Sequence, residues 1–236
     1  MTQVIAFQNL VKRYGKQNAV ADLTASVAQG RITGFLGPNG AGKSTSLRCL
    51  VGLADPTSGS ATIFGKPYRD LENPLAKVGT VLDSRGFHAA LTGEQNLKIM
   101  AAASGISTAR VGEVLRLVEL DQAAGKRVKG YSLGMKQRLA LAGAVLGDPE
   151  LLILDEPANG LDPAGIAWLR NFLRNMAKGG RTILVSSHQL AEMQNTVDDV
   201  LIINKGQLIA SGPMAEIIGD GTLEQAFLRL TLGEMQ

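Results

Sequence analysis

Short, almost wholly apolar runs punctuated by glycine and charge fill the first third of the chain, and they predict strands over Val4–Val11, Ala19–Val27, Ile32–Leu36 and Ala61–Phe64. After Gly42 the pattern changes, and Lys43 to Val51 reads as a helix that stops near Gly52. Between Leu91 and Leu146 apolar positions recur at spacings of three and four, as in Leu97, Met100 and Ala101 and then Val111, Val114, Leu115 and Val118. That periodicity predicts a mostly helical insertion. Beyond it, strands at Leu151–Leu154, Thr182–Ser186, Val200–Ile203 and Gln207–Ala210 alternate with helices near Gly165–Lys178 and Gln189–Val197. Strands that are apolar throughout must be covered on both faces, so the fold class is α/β with a mostly parallel sheet.

Composition narrows this further. A chain of 236 residues, 45% hydrophobic and 19% charged, is a folded globule of one domain or one domain with an insertion. It holds 28 glycines, well above the roughly 7% of ordinary usage, which calls for a backbone explanation. No apolar stretch approaches the ~20 residues of a bilayer span, and Met1 to Lys12 lacks a charged-then-apolar leader, so a cytoplasmic protein is expected. The single cysteine, Cys49, excludes an internal disulfide and reads as a small core residue. A net charge of +3 is too small and dispersed to indicate nucleic-acid binding, though it suits a surface near anionic lipid.

Chemistry enters at Gly37-Pro38-Asn39-Gly40-Ala41-Gly42-Lys43-Ser44-Thr45, a P-loop pattern standing where a strand feeds a helix. Gly37, Gly40 and Gly42 allow the backbone amides to approach phosphate oxygens, and the helix N-terminus adds its own anion site. Lys43 supplies a cation for the β- and γ-phosphates, and the Ser44 hydroxyl suits Mg²⁺. The apolar run ending in Asp155 and Glu156 places two carboxylates at a strand tip. Asp155 is the expected metal ligand, and Glu156 the expected base for an attacking water.

Upstream lies Tyr131-Ser132-Leu133-Gly134-Met135-Lys136-Gln137-Arg138, and downstream Gly160-Leu161-Asp162-Pro163 and Ser186-Ser187-His188. With the P-loop and the acidic strand end, in this order and spacing, the chain from about Val4 to Ala226 resembles the ATP-binding subunit of ABC transporters. The resemblance implies a P-loop core with an N-terminal antiparallel β subdomain and an inserted α-helical signature subdomain. The core would span 1–83 and 147–220, the insertion about 84–146, and a short tail 221–236. It implies Tyr14 as the residue stacking on adenine, Ser132 and Gly134 as contacts to γ-phosphate from a second subunit, Asp162 as the D-loop residue, and His188 as the switch histidine. ATP and Mg²⁺ are then the ligands, and two copies docked head to tail are the working form. Separate multi-span membrane subunits would hold the pair at the cytoplasmic face of the membrane, with no nucleic acid involved.

Departures from the family pattern are visible. Asp83 follows the strand Val78 to Leu82 where the family has a glutamine, and it is expected to touch the metal and the attacking water. Tyr131, Leu133 and Met135 replace the usual leucine, glycine and glutamine of the signature, while Ser132, Gly134, Gln137 and Arg138 remain. Phe87 and His88 are expected as exposed contacts for a membrane subunit. The signature and the short tail from Leu223 to Leu230 resemble bacterial efflux ATPases of the antibiotic, bacteriocin and sodium type. An importer subunit and a soluble ABC-type ATPase, for example of iron–sulfur assembly, are the alternatives. A P-loop kinase or GTPase would lack Ser132-Leu133-Gly134.

Overall fold

The computed structural model describes residues 2–82 and 86–232. An antiparallel hairpin comes first, β1 (Gln3–Tyr14) and β2 (Gln17–Ala28), and β4 (Ser58–Ile63) pairs antiparallel on the far side of β1. Between them in sequence lie β3 (Ile32–Leu36) and α1 (Lys43–Leu50). The hairpin strands are longer than their apolar runs predict, because cross-strand pairing carries them through polar residues to Tyr14 and Gln17.

Five further strands complete the sheet: β5 (Val78–Val81), β6 (Leu151–Asp155), β7 (Thr182–Ser187), β8 (Asp199–Asn204) and β9 (Gln207–Pro213). Among the described residues this gives one nine-stranded sheet in the order β4-β1-β2-β9-β8-β3-β7-β6-β5. The run from β8 through β3, β7 and β6 to β5 is parallel, whereas β9 returns antiparallel to β8.

The apolar strands are explained by their two faces. Along β6, Leu151 and Ile153 enter one apolar cluster with Phe7, Phe35 and Leu47, while Leu152 and Leu154 enter another with Leu139, Leu173 and Val185. Successive side chains point to opposite sides of a strand, so a strand covered on both has no polar position to spare. Each such Leu or Phe contributes about 1.5–3 kcal/mol through removal from water. Phe7 and Phe35 stack with ring centroids 6.3 Å apart, joining the hairpin to the central strands. Cys49 is buried in the same cluster, as expected.

After the short α2 (Pro74–Lys77), the insertion carries α3 (Gly93–Ala103), α4 (Ala109–Leu117) and α5 (Leu133–Ala144). Helix α3 begins with a capping box: Thr92 Oγ1 accepts from Gln95 N–H and Gln95 Oε1 accepts from Thr92 N–H. Its apolar face continues into the core cluster beneath the sheet. Helix α6 (Pro163–Lys178) follows β6 and starts two residues earlier than the sequence pattern suggests, since Asp162 caps it and Pro163 occupies its first turn. In place of a helix over 189–197 the structure has the five-residue α7 (Leu190–Gln194). Asn195 Nδ2 and Thr196 Oγ1 donate to the carbonyls of Ala191 and Glu192, so side chains compete with the backbone ladder and end it. The chain closes with α8 (Met214–Ile218) and α9 (Leu223–Leu232). No helix of the described residues is long and apolar enough to cross a membrane.

Candidate functional site

Strands β3, β7 and β6 are neighbours and parallel, so the loops leaving their carboxyl ends converge on one edge of the sheet. Leu36 is level with Ser187 and Asp155 is level with Ser186. The P-loop leaves β3, His188 follows β7 and Glu156 follows β6, so the three loops lie side by side at that edge.

The P-loop turn is shaped by Gly42, which sits at φ 105° and caps α1. A Cβ there would lie 2.4 Å from Ala19 O on β2, so both the left-handed backbone and the close strand demand glycine. No side chain caps α1, in contrast to α3, α5 and α6. Its first N–H groups therefore face the cleft with the positive end of the helix dipole behind them. Lys43 is only 6% exposed, donates from Nζ to Gly37 O at 2.7 Å, and lies 3.4 Å from Glu156 Oε1. The other oxygen of that carboxylate, Oε2, lies 2.8 Å from His188 Nδ1.

Glu156 is held under strain. Its φ of 48° is left-handed, which costs a residue with a side chain about 1–3 kcal/mol. Ser186 fixes it: Ser186 Oγ accepts from Glu156 N–H at 2.9 Å and donates to Asp155 Oδ1. One hydroxyl thereby orients both carboxylate residues. Ser186 is fully buried, and no role beyond the motif before His188 was expected of it, although a serine closing the apolar Ile183–Val185 run was the available signal.

A cleft of about 440 Å³ lies over these groups. Tyr14, Asn39, Gly40, Ala41, Gly42, Lys43, Ser44, Thr45, Glu156 and His188 all line it, as the sequence suggested, and Gln17, Ala19 and Asn159 line it as well. Tyr14 is 53% exposed at the end of β1, an aromatic face available to a flat ring. Asp155 sits just below, at the end of β6.

Ser132, Gly134 and Asp162 do not line this cleft. Ser132 caps α5, accepting from Met135 N–H at 3.2 Å, and Asp162 caps α6, accepting from Gly165 N–H at 2.7 Å. They stand at two helix N-termini elsewhere on the surface. Tyr131, beside Ser132, is buried and donates to Ala123 O at 2.8 Å; burial pushes its phenol above the ordinary value. Asp83 lies outside the described residues.

Phe87 corrects an expectation. It is half-buried instead of exposed, with its ring among Leu75, Met100, Ala140 and Ala144 in a groove between α3, α5 and β5. Gly143 on α5 lets the ring come close, since a Cβ there would lie 3.6 Å from Phe87 Cζ. His88 is exposed, and its backbone N–H and carbonyl are both held by buried Asn96.

A family model described as ABC transporter matches residues 20–159. The bacitracin transport ATP-binding protein BcrA of Bacillus licheniformis is 46% identical over 216 residues, covering 90% of this chain and 71% of that protein. The lantibiotic transport ATP-binding protein SrtF of Streptococcus pyogenes is 36% identical over 224 residues, covering 95% and 96% of the two chains. Among solved structures, an ATP-binding subunit of an ABC transporter superposes with a TM-score of 0.85 at 29% identity, over 96% of this chain and 99% of that one.

Proposed function

The chain belongs to the ABC transporter family as an ATP-binding, ATP-hydrolysing domain, and from that premise we propose that it powers a membrane exporter by ATP-driven closure of a head-to-tail dimer. The observation that carries the proposal is the meeting of Lys43, Glu156 and His188 in one cleft while Ser132 and Asp162 face elsewhere. Half of a phosphate site is present in each copy. A second copy, turned head to tail, supplies the other half from Ser132 and the N-terminus of α5.

In this scheme adenine stacks on Tyr14, and the P-loop amides and Lys43 take the phosphates. Phosphate oxygens compete with Glu156 for Lys43, leaving the carboxylate to polarise the attacking water. His188, already 2.8 Å from Glu156, orients it and adds a contact toward the γ-phosphate. Ser44 and Asp155 are hard oxygen donors of the kind Mg²⁺ accepts in small numbers alongside phosphate, and they would hold that ion. The ion would neutralise developing phosphate charge. Asp83 is assigned to the same region from sequence. Ser132 Oγ and the α5 N–H groups bind the γ-phosphate across the junction, so hydrolysis removes a shared ligand and opens the dimer.

We further propose that the core and the helical insertion form one domain, that the dimer is of two identical chains, and that membrane subunits hold it at the cytoplasmic face. Relatives named for bacitracin and lantibiotic transport support an antibiotic-peptide cargo, for which outward movement protects the cell. Co-purification with a co-expressed membrane subunit in detergent, and ATPase activity stimulated by such a peptide, test the proposal. Failure of both would refute it.

A further inference from the structure

Ser132 stands between two residues anchored in different parts of the molecule. Tyr131, on one side, is 5% exposed and bonded to Ala123 O within the helical insertion. Leu133, on the other, is 49% exposed, yet its side chain reaches across to the turn before α6: a Cβ on Gly160 would lie 2.2 Å from Leu133 Cδ2. Gly160 has φ 73°, so glycine there both adopts the turn and admits the leucine. Leu161 reaches back, its Cδ2 standing 3.6 Å from where a Cβ of Gly134 would be. Further along α5, the Arg138 guanidinium lies 4.0 Å from the Trp168 ring on α6 and also donates to Val118 O at 3.1 Å. The starts of α5 and α6 are thus interlocked by shape, each with its capping residue, Ser132 or Asp162, at the contact.

We infer that Leu133 is a positioning residue: seated against Gly160, it fixes Ser132 relative to Asp162 and carries movement of the helical insertion to the 160–162 turn. The inference rests on the proposal that these two residues act across the subunit junction. A half-exposed leucine adds little to folding, so its role lies in the contact it makes. Interlocked side chains move together or disengage, because packed surfaces do not deform continuously. With Leu133 cut back, the start of α5 and the turn shift independently and meet the second subunit out of register.

The test uses the full-length chain with Leu133→Ala, Leu133→Met, Gly160→Ala and the double variant Leu133→Ala/Gly160→Ala. It follows ATP turnover against concentration and binding of a fluorescent ATP analogue. Leu133→Ala is expected to bind the analogue as the parent does while kcat falls about tenfold, the scale of a modest misplacement of reacting groups. Leu133→Met, which restores reach, should recover most of that loss. Gly160→Ala should also lower kcat, and adding Leu133→Ala should recover part of it by removing the collision. Parental kcat in Leu133→Ala, no recovery in Leu133→Met, or two losses that simply multiply would each overturn the inference. If Gly160→Ala does not fold, the two Leu133 variants decide. Ser132→Ala separates the two levels: parental turnover there refutes the cross-junction proposal and the latch with it. A loss there beside a parental Leu133→Ala refutes the latch alone.

Discussion

Glu156 Oε2 lies 2.8 Å from His188 Nδ1, and it is through this contact that the loop after β6 meets the loop after β7. The same carboxylate turns its other oxygen to Lys43 at 3.4 Å, so one side chain ties three loops together.

Glu156→Gln keeps the shape and removes the base. Turnover should fall by about 10²–10⁴-fold, the range of a lost general base, while nucleotide binding persists. Size-exclusion chromatography with ATP should show a stable dimer, and ATP turnover at the parental rate would refute the assignment of Glu156.

Ser186→Ala removes the hydroxyl that joins Asp155 to the backbone N–H of Glu156. Leaving buried polar groups unpaired costs about 1–3 kcal/mol, so the melting temperature should drop. The kcat should drop more than KM rises, since the strained φ of Glu156 loses its support. Unchanged melting and kcat would show that Ser186 does not hold the carboxylates.

Gly42→Ala places a methyl 2.4 Å from Ala19 O on a backbone with φ 105°. The loop must move away from β2, and nucleotide affinity should fall at least tenfold, equivalent to about 1.4 kcal/mol. Isothermal titration with ATP measures it, and parental affinity would contradict the close approach.

Burial raises the phenols of Tyr131 and Tyr68. Raised folded values mean that the folded protein favours the neutral phenol. The stability this contributes is complete below the ordinary value of about 10 and is lost as pH rises through the raised values. Denaturant unfolding should therefore show falling stability above pH 10. Tyr131→Phe should be about 1 kcal/mol less stable at pH 8, through its lost bond to Ala123 O, and should lose less on going above pH 10. An equal alkaline loss in the variant would exclude Tyr131 from the effect.

Much of the cleft was legible because its residues lie in short continuous motifs. Residues 37–45 name their own chemistry, and Asp155 and Glu156 follow an apolar strand that can hardly be anything else. Ser186 was hidden because its value depends on lying level with Asp155 in the neighbouring strand, a register that no local pattern encodes. Phe87 misled for the same kind of reason: in sequence it stands in a polar loop, whereas in space it packs beside Gly143 of α5 and against the core.

What the amino-acid order determined by itself is therefore local: strands apolar on both faces, the glycine-rich turn into α1, the helical periodicity between Leu91 and Leu146, and the family these motifs spell. Tertiary structure decided which of those pieces meet. The strand order β3-β7-β6 brings Lys43 and His188 to the two oxygens of Glu156, while Ser132 and Asp162, at the starts of α5 and α6, do not line that cleft. Side-chain type and spacing act over a few residues, whereas strand order is fixed by how distant apolar faces pack. The site depends on both.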